Sequence, residues 1–241
     1  MLQSLQVQSY RRHQVNGPRM FGIVSLWTLI ACIANFGPNL TQAATLELEG
    51  KGASLPSNVY VQASLVYGIV QDDVKIVYTK TGSSTGKKLM RDGLSYFAGS
   101  DSPIAESYYT TSPDLQMYPT VATAIVPVYN LPGIEKLVLS REALVGIFNG
   151  TITNWRDSII TTTNVGVTLP DETIIPMARG DGSGTTSVFS SALAAFSSGW
   201  NSVYGIDDEI NWNSTVQTKP KSHILLSSVL LTPYSICCKC Y

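Results

Sequence analysis

Charge is scarce in this sequence. Lys, Arg, Asp and Glu make up 14% of its 241 residues. Basic residues are in no excess, 16 against 17 acids, so the chain lacks the basic face that nucleic acids usually demand. The four cysteines give no framework for a core. Cys32 lies near the N-terminus, and Cys237, Cys238 and Cys240 crowd into the last five residues. No His or second Cys pair stands beside that Cys-Cys-x-Cys tail to complete a tetrahedral site, so no metal and no other cofactor is expected. There is no internal repeat and no low-complexity linker.

Apolar residues are plentiful, 44% of the chain, enough for a sizeable core. At the N-terminus Arg11, Arg12 and Arg19 precede the apolar run Met20–Phe36, and Thr41-Gln42-Ala43 supplies small residues. Residues 1–43 therefore read as a secretory signal with a long basic leader and cleavage near Ala43. Met20 is an alternative start, and a signal anchor is the alternative role, although the run is short for a membrane span. Cleavage takes away three Arg and no acid, leaving 13 Lys and Arg against 17 Asp and Glu, a net charge of −4. Capture of an anion must then rest on local donors.

Three loops supply such donors. Ala178-Arg179-Gly180-Asp181-Gly182-Ser183-Gly184-Thr185-Thr186 runs into an apolar pattern at helical spacing, Val188, Phe189, Ala192, Leu193 and Phe196. A helix start offers orphan N–H groups and the positive end of its dipole, and an arginine can grip two oxygens at once. Gly52-Ala53-Ser54-Leu55-Pro56 precedes a helix face at Val59, Tyr60, Ala63, Val66 and Tyr67, with Ser54 expected as its cap. Thr81-Gly82-Ser83-Ser84-Thr85-Gly86 follows the strand-like Val74–Tyr78 and precedes Lys87-Lys88-Leu89-Met90, with Ser83 or Ser84 expected as cap. Each loop alone reads as an ordinary capped turn. Three together favour convergence on one oxyanion.

At this point the chain resembles the substrate-binding proteins of phosphate ABC importers, of the periplasmic binding protein type II class. The matching stretches are Gly52–Pro56, Gly82–Gly86, Ala98–Pro103, Tyr118–Thr120, Val126–Gly133, Ile147–Trp155 and Arg179–Thr186, in family order. The resemblance implies a phosphate site made of Ser54, Leu55 through its N–H, Ser83, Asp101, Arg179, Ser183, Gly184 and Thr185. It implies that Asp101 accepts the proton of bound phosphate and pairs with Arg179. Leu55 departs from the family's usual aromatic, and Lys51 from its usual small residue. An ABC importer is the implied partner in a bacterium. The expected molecule is a periplasmic or secreted monomer that contacts no nucleic acid.

Strands alternate with short helices, so the class is α/β, and the resemblance implies a two-lobed fold. Residues 44–122 are expected to begin lobe 1, with Val121–Tyr129 as a buried crossing strand. Residues 123–216 are expected to form lobe 2, with helices near Ser140–Phe148 and Thr186–Phe196 and stops at Gly150 and Gly199. Residues 217–241 carry no family motif and read as a disordered extension, an anchor, a lineage-specific tail or translated non-coding sequence. The C-terminal return to lobe 1 is therefore expected to be incomplete. The alternative function is a secreted serine hydrolase or phosphatase-like enzyme, because Gly82-Ser83-Ser84-Thr85-Gly86 fits a nucleophile elbow. It lacks a His-Gly-Gly motif, and after cleavage only His223 remains to serve Ser84.

Overall fold

The computed structural model describes residues 2–8 and 45–240. Residues 9–44, with the arginines, apolar run and cleavage site of the expected signal, lie outside the described residues. In chain order the strands are β1 (Leu2–Gln8), β2 (Leu46–Gly52), β3 (Val74–Lys80), β4 (Phe97–Ser100), β5 (Gln116–Thr123), β6 (Ile125–Asn130), β7 (Ile175–Arg179), β8 (Gln217–Lys219) and β9 (Ser235–Cys240). The helices are α1 (Ser57–Val70), α2 (Ser83–Arg91), α3 (Glu106–Thr111), α4 (Arg141–Asn149), α5 (Ser158–Thr161), α6 (Gly184–Phe196), α7 (Ser198–Val203) and α8 (Ser222–Leu231).

Two mixed sheets divide these strands. The first has the order β3-β2-β4-β1-β5 and the second β6-β9-β7-β8. In the first, β2 runs parallel to β3 and β4, which leaves loop 1 (Gly52–Pro56), loop 2 (Thr81–Gly86) and the turn after β4 at one end of the sheet. The chain passes between the sheets at Ala124, after β5 and before β6. This crossing is half-buried to exposed along its length, not the buried strand expected at Val121–Tyr129. Its β-branched content reflects sheet pairing rather than full burial.

The lobes are unequally filled. Lobe 2 holds a large core around Phe148, Trp155, Leu193, Trp200 and Ile236, all fully buried or nearly so. Lobe 1 has a buried cluster of Met90, Ala98, Ile104 and Leu115. The helix face expected at Val59, Ala63, Val66 and Tyr67 is real, but its apolar residues point outward, with Val66 62% exposed. Only Tyr60 turns inward, edge-on to Tyr78 at 5.0 Å between ring centres.

The helix expected near Ser140–Phe148 forms and stops at Gly150, whereas other local expectations are corrected. α4 is capped by Ser140, which accepts from Ala143 N, and ends at Gly150 in the left-handed region with φ 82°. Gly199 stops nothing. It lies within α7, and α6 ends at Ser197, whose side chain caps α7 through Trp200 N. The largest correction is the C-terminal segment. Residues 217–240 form β8, α8 and β9, and β9 lies inside the second sheet, antiparallel to β6 and parallel to β7. Ile236 and Cys237 are fully buried there, and burial pushes the Cys237 thiol up to about 11. The apolar run Ile224–Leu231 is a helix whose Leu225 and Val229 pack on Met177 and Cys237. Hydrophobic packing, not any recognisable motif, decides its place.

The N-terminal strand also differs from expectation. Leu2–Gln8 is read as part of the removable leader, yet it pairs antiparallel with both β4 and β5. Its alternation of Leu5 and Val7 with Gln6 and Gln8 suits a strand.

Candidate functional site

Three helices begin where the lobes meet, and none is capped by a side chain. α1 follows Pro56, α2 follows Gly82 and α6 follows Ser183, each without a side-chain cap hydrogen bond. Ser54 therefore does not cap α1. It lies exposed on the turn, and its carbonyl accepts from Ser57 Oγ at 2.7 Å. Ser83 and Ser84 lie within the first turn of α2, and their hydroxyls serve other partners.

Backbone contacts draw the loops together. Gly52 O accepts from Thr81 N and Gly82 N at 2.9 and 2.8 Å, and Ala53 N donates to Gly99 O at 2.8 Å. These bonds bind loop 1, loop 2 and the turn after β4. Gly82 adopts φ 97°, a conformation that favours glycine. Loop 3 (Ala178–Thr186) closes on the same point. A β-carbon at Gly184 would stand 2.6 Å from Ser83 Oγ and 2.7 Å from Asp101 Cβ, so only glycine fits there.

Asp101 follows β4 and faces this junction. The turn itself is held by Ser100, whose hydroxyl donates to Ser102 O at 2.6 Å and accepts from Ser102 N. Asp101 is thus not needed as its cap. Its backbone N–H donates to Ser83 Oγ at 3.2 Å. Its Oδ1 is buried and has no hydrogen-bond partner among the described residues. Burial, then the charge of Asp208, pushes the carboxyl up to about 6, against the pull of Arg179, the Ser83 hydroxyl and Lys87. A buried acceptor without a donor is costly in a folded protein, and a ligand that carries a proton removes that cost.

Arg179 ends β7 and is buried. It does not pair with Asp101. Its fork grips Asp181, Nε to Oδ1 at 2.5 Å and Nη2 to Oδ2 at 2.6 Å, while Nη1 donates to Ser222 Oγ at 2.6 Å. A carboxylate two residues away wins because it matches the planar fork at almost no cost in chain entropy. Burial would raise the Asp181 pKa, but Arg179, the Lys221 N–H and the Lys221 charge hold it below the ordinary range. The guanidinium keeps N–H donors beyond those three and still acts on Asp101 through its charge.

Ser183, Thr185 and Thr186 are buried at the start of α6, and Ser183 N donates to Asp208 O at 3.0 Å. The structure thus brings Ser83, Asp101, Ser183, Gly184 and Thr185 to one junction, and Arg179 acts on Asp101 there through its charge. Ser54 and Leu55 lie on the first turn, which reaches the junction through Gly52, Ala53 and Pro56. Lys51, the second departure noted in the sequence, pairs with Glu49 at 3.0 Å.

Asp181, Lys87, Ser102 and Asp208 were not expected to take part. Asp208 lies 124 residues from Ser84, to which it is hydrogen-bonded. No sequence spacing signals such a contact. Asp181 was visible inside the Arg179 loop as a carboxylate at close range. The hydrolase arrangement is not formed: Ser84 Oγ donates to Asp208 Oδ2 at 2.8 Å, not to an imidazole, and His223 lies on α8. Among the described residues no group of His, Cys, Asp and Glu is arranged to hold a metal ion.

Residues 38–224 match the family model described as the PBP superfamily domain. A phosphate-binding protein PstS of Pasteurella multocida is 36% identical over 174 residues, which cover 71% of this chain and 49% of the relative. One from Methanocaldococcus jannaschii is 31% identical over 201 residues, 79% of this chain and 52% of the relative. The chain spans about half the length of these curated relatives. Among solved structures, a high-affinity periplasmic phosphate-binding protein bound with phosphate aligns with a TM-score of 0.63 at 20% identity, over 80% of this chain and 56% of that one. A phosphate-binding protein from Stenotrophomonas maltophilia aligns with a TM-score of 0.59 at 21% identity, over 81% and 60%. These structural likenesses show the two-lobed α/β fold.

Proposed function

The chain belongs to the PBP superfamily, and we propose that the junction between its lobes binds inorganic phosphate, for uptake, scavenging or sensing. Binding is by hydrogen bonds, without metal and without turnover. The observation that carries this reading is Asp101 Oδ1, a buried acceptor with no hydrogen-bond partner among the described residues, set beside three uncapped helix starts. Helix starts and Arg179 favour any oxyanion. A carboxylate favours only an oxyanion that can donate a proton. Phosphate near neutral pH satisfies both demands.

The hydroxyls of Ser83, Ser183 and Thr185 and the N–H groups of Leu55, Gly184 and Thr185 supply donors, Arg179 supplies charge, and Asp101 accepts. The relatives named above are phosphate-binding proteins, which favours a binder over an enzyme. An ABC importer as partner, an extracytoplasmic location after cleavage near Ala43 and a monomeric state belong to the same reading. Calorimetry of the full chain with phosphate, with and without a chelator, tests it. Heat with a single-site stoichiometry is expected in both. No heat from a folded sample refutes binding, and loss of heat in chelator refutes the metal-free mode.

A further inference from the structure

Asp208 joins the two lobes through four contacts. Its carboxylate accepts from Ser84 Oγ at 2.8 Å, Ser102 Oγ at 2.7 Å and Lys87 Nζ at 2.7 Å. Those three residues belong to α2 and to the turn after β4, all in lobe 1. Its backbone carbonyl accepts from Ser183 N at 3.0 Å, at the start of α6 in lobe 2. Lys87 Nζ also donates to Ser102 Oγ at 2.9 Å and to Pro103 O at 3.2 Å. The side chains of Lys87 and Asp208 are 11% and 10% exposed, so the pair is nearly out of water. Such a pair is sensitive to geometry: well placed it fixes one arrangement, and broken it leaves an uncompensated charge.

We infer that Asp208 is a positioning residue for the anion site, a carboxylate that locks loop 2, the Asp101 turn and the start of α6 into one constellation across the lobe boundary. The inference rests on the phosphate reading for its binding arm alone. Asp208 need not touch the ligand. It acts through Ser84, a neighbour of Ser83; through Ser102, a neighbour of Asp101; and through Ser183 directly. It also acts through its charge. Around Asp101 stand Asp208, Arg179 and Lys87, with the hydroxyls of Ser83, Tyr60 and Tyr78. Asp208 raises the Asp101 pKa, whereas Lys87 lowers it. Burial alone would raise Asp208 itself, but the Lys87 ion pair and the Ser102 and Ser84 hydroxyls outweigh it and keep this carboxyl below the ordinary range.

The test uses the full chain, Asp208→Asn and Lys87→Met, with two readouts. The first is the titration of the Asp101 carboxyl followed by carboxyl-carbon NMR without ligand. Asp208→Asn removes a like charge and is expected to lower the Asp101 midpoint. Lys87→Met removes an opposite charge and is expected to raise it. A merely structural role would not move the two variants in opposite directions, so equal or unchanged midpoints overturn the inference even if the wild type binds no phosphate. The second readout is phosphate affinity by calorimetry, expected to fall on the order of tenfold in each variant, a typical coupling between linked sites. Wild-type affinity in both folded variants overturns the positioning role. Where one variant does not fold, the direction of the other's midpoint still decides. Absence of binding in the wild type refutes the phosphate reading and leaves the titration as the deciding arm.

Discussion

Selectivity between phosphate and sulfate should switch with pH, and the switch should be Asp101. Sulfate carries no proton near neutrality, so an ionised Asp101 faces it as a buried like charge with no donor between them. Once protonated, Asp101 can donate to sulfate instead. Its midpoint is near 6, raised chiefly by burial and next by Asp208. With that midpoint the protonated fraction rises from about 1% at about pH 8 to about 90% at about pH 5, roughly a hundredfold gain in sulfate affinity, or about 2.7 kcal/mol. Phosphate should show a much flatter profile, because either partner can hold the shared proton. Calorimetric titrations with sulfate and with phosphate across this range measure the difference. Asp101→Asn is the control, since its amide donates at every pH and sulfate should bind equally throughout. Sulfate affinity that stays flat in the wild type would refute the reasoning, and so would a pH dependence that survives in Asp101→Asn.

The same carboxyl shapes stability. Its folded midpoint, about 6, lies above the ordinary 3.8, so its contribution is fully present below 3.8 and is lost as pH rises through about 6. At neutral pH the unliganded protein then carries a cost of about 3 kcal/mol, and Asp101→Asn should raise the melting temperature there but not near about pH 4. Arg179→Ala should weaken phosphate binding by about 2–5 kcal/mol by calorimetry, and Lys should not rescue it, because the fork that holds Asp181 is planar. Gly184→Ala should push loop 3 away from Ser83 and Asp101, with a loss of phosphate affinity out of proportion to any change in melting temperature. Deleting residues 217–240 removes the inner strand β9 and should abolish the cooperative melt seen by circular dichroism, since its loss should exceed a stability of about 5–15 kcal/mol. A chain that melts as sharply without them would return that segment to the status of a tail.

The sequence determined what short range can determine. α6 was legible from the apolar spacing of Val188, Phe189, Ala192, Leu193 and Phe196, because a helix buries one face at a fixed period, although Phe196 at the last turn lies exposed. α4 was legible from Ser140 and Gly150, because caps are local chemistry. The three donor loops were legible because hydroxyls and glycines mark helix starts, but the capping expected of Ser54 and of Ser83 or Ser84 did not form, and only the structure showed those N–H groups uncapped. Tertiary structure decided the rest. It gave Arg179 to Asp181 and Ser222, and it left Asp101 Oδ1 without a hydrogen-bond partner among the described residues, beside a like charge from Asp208. It drew Ser84, Lys87 and Ser102 to a carboxylate more than a hundred residues distant in sequence. It also turned the motif-free segment after Trp212 into the centre of a sheet. Burial depends on what else reaches the same place, and that is a property of the packed chain, not of any spacing within it.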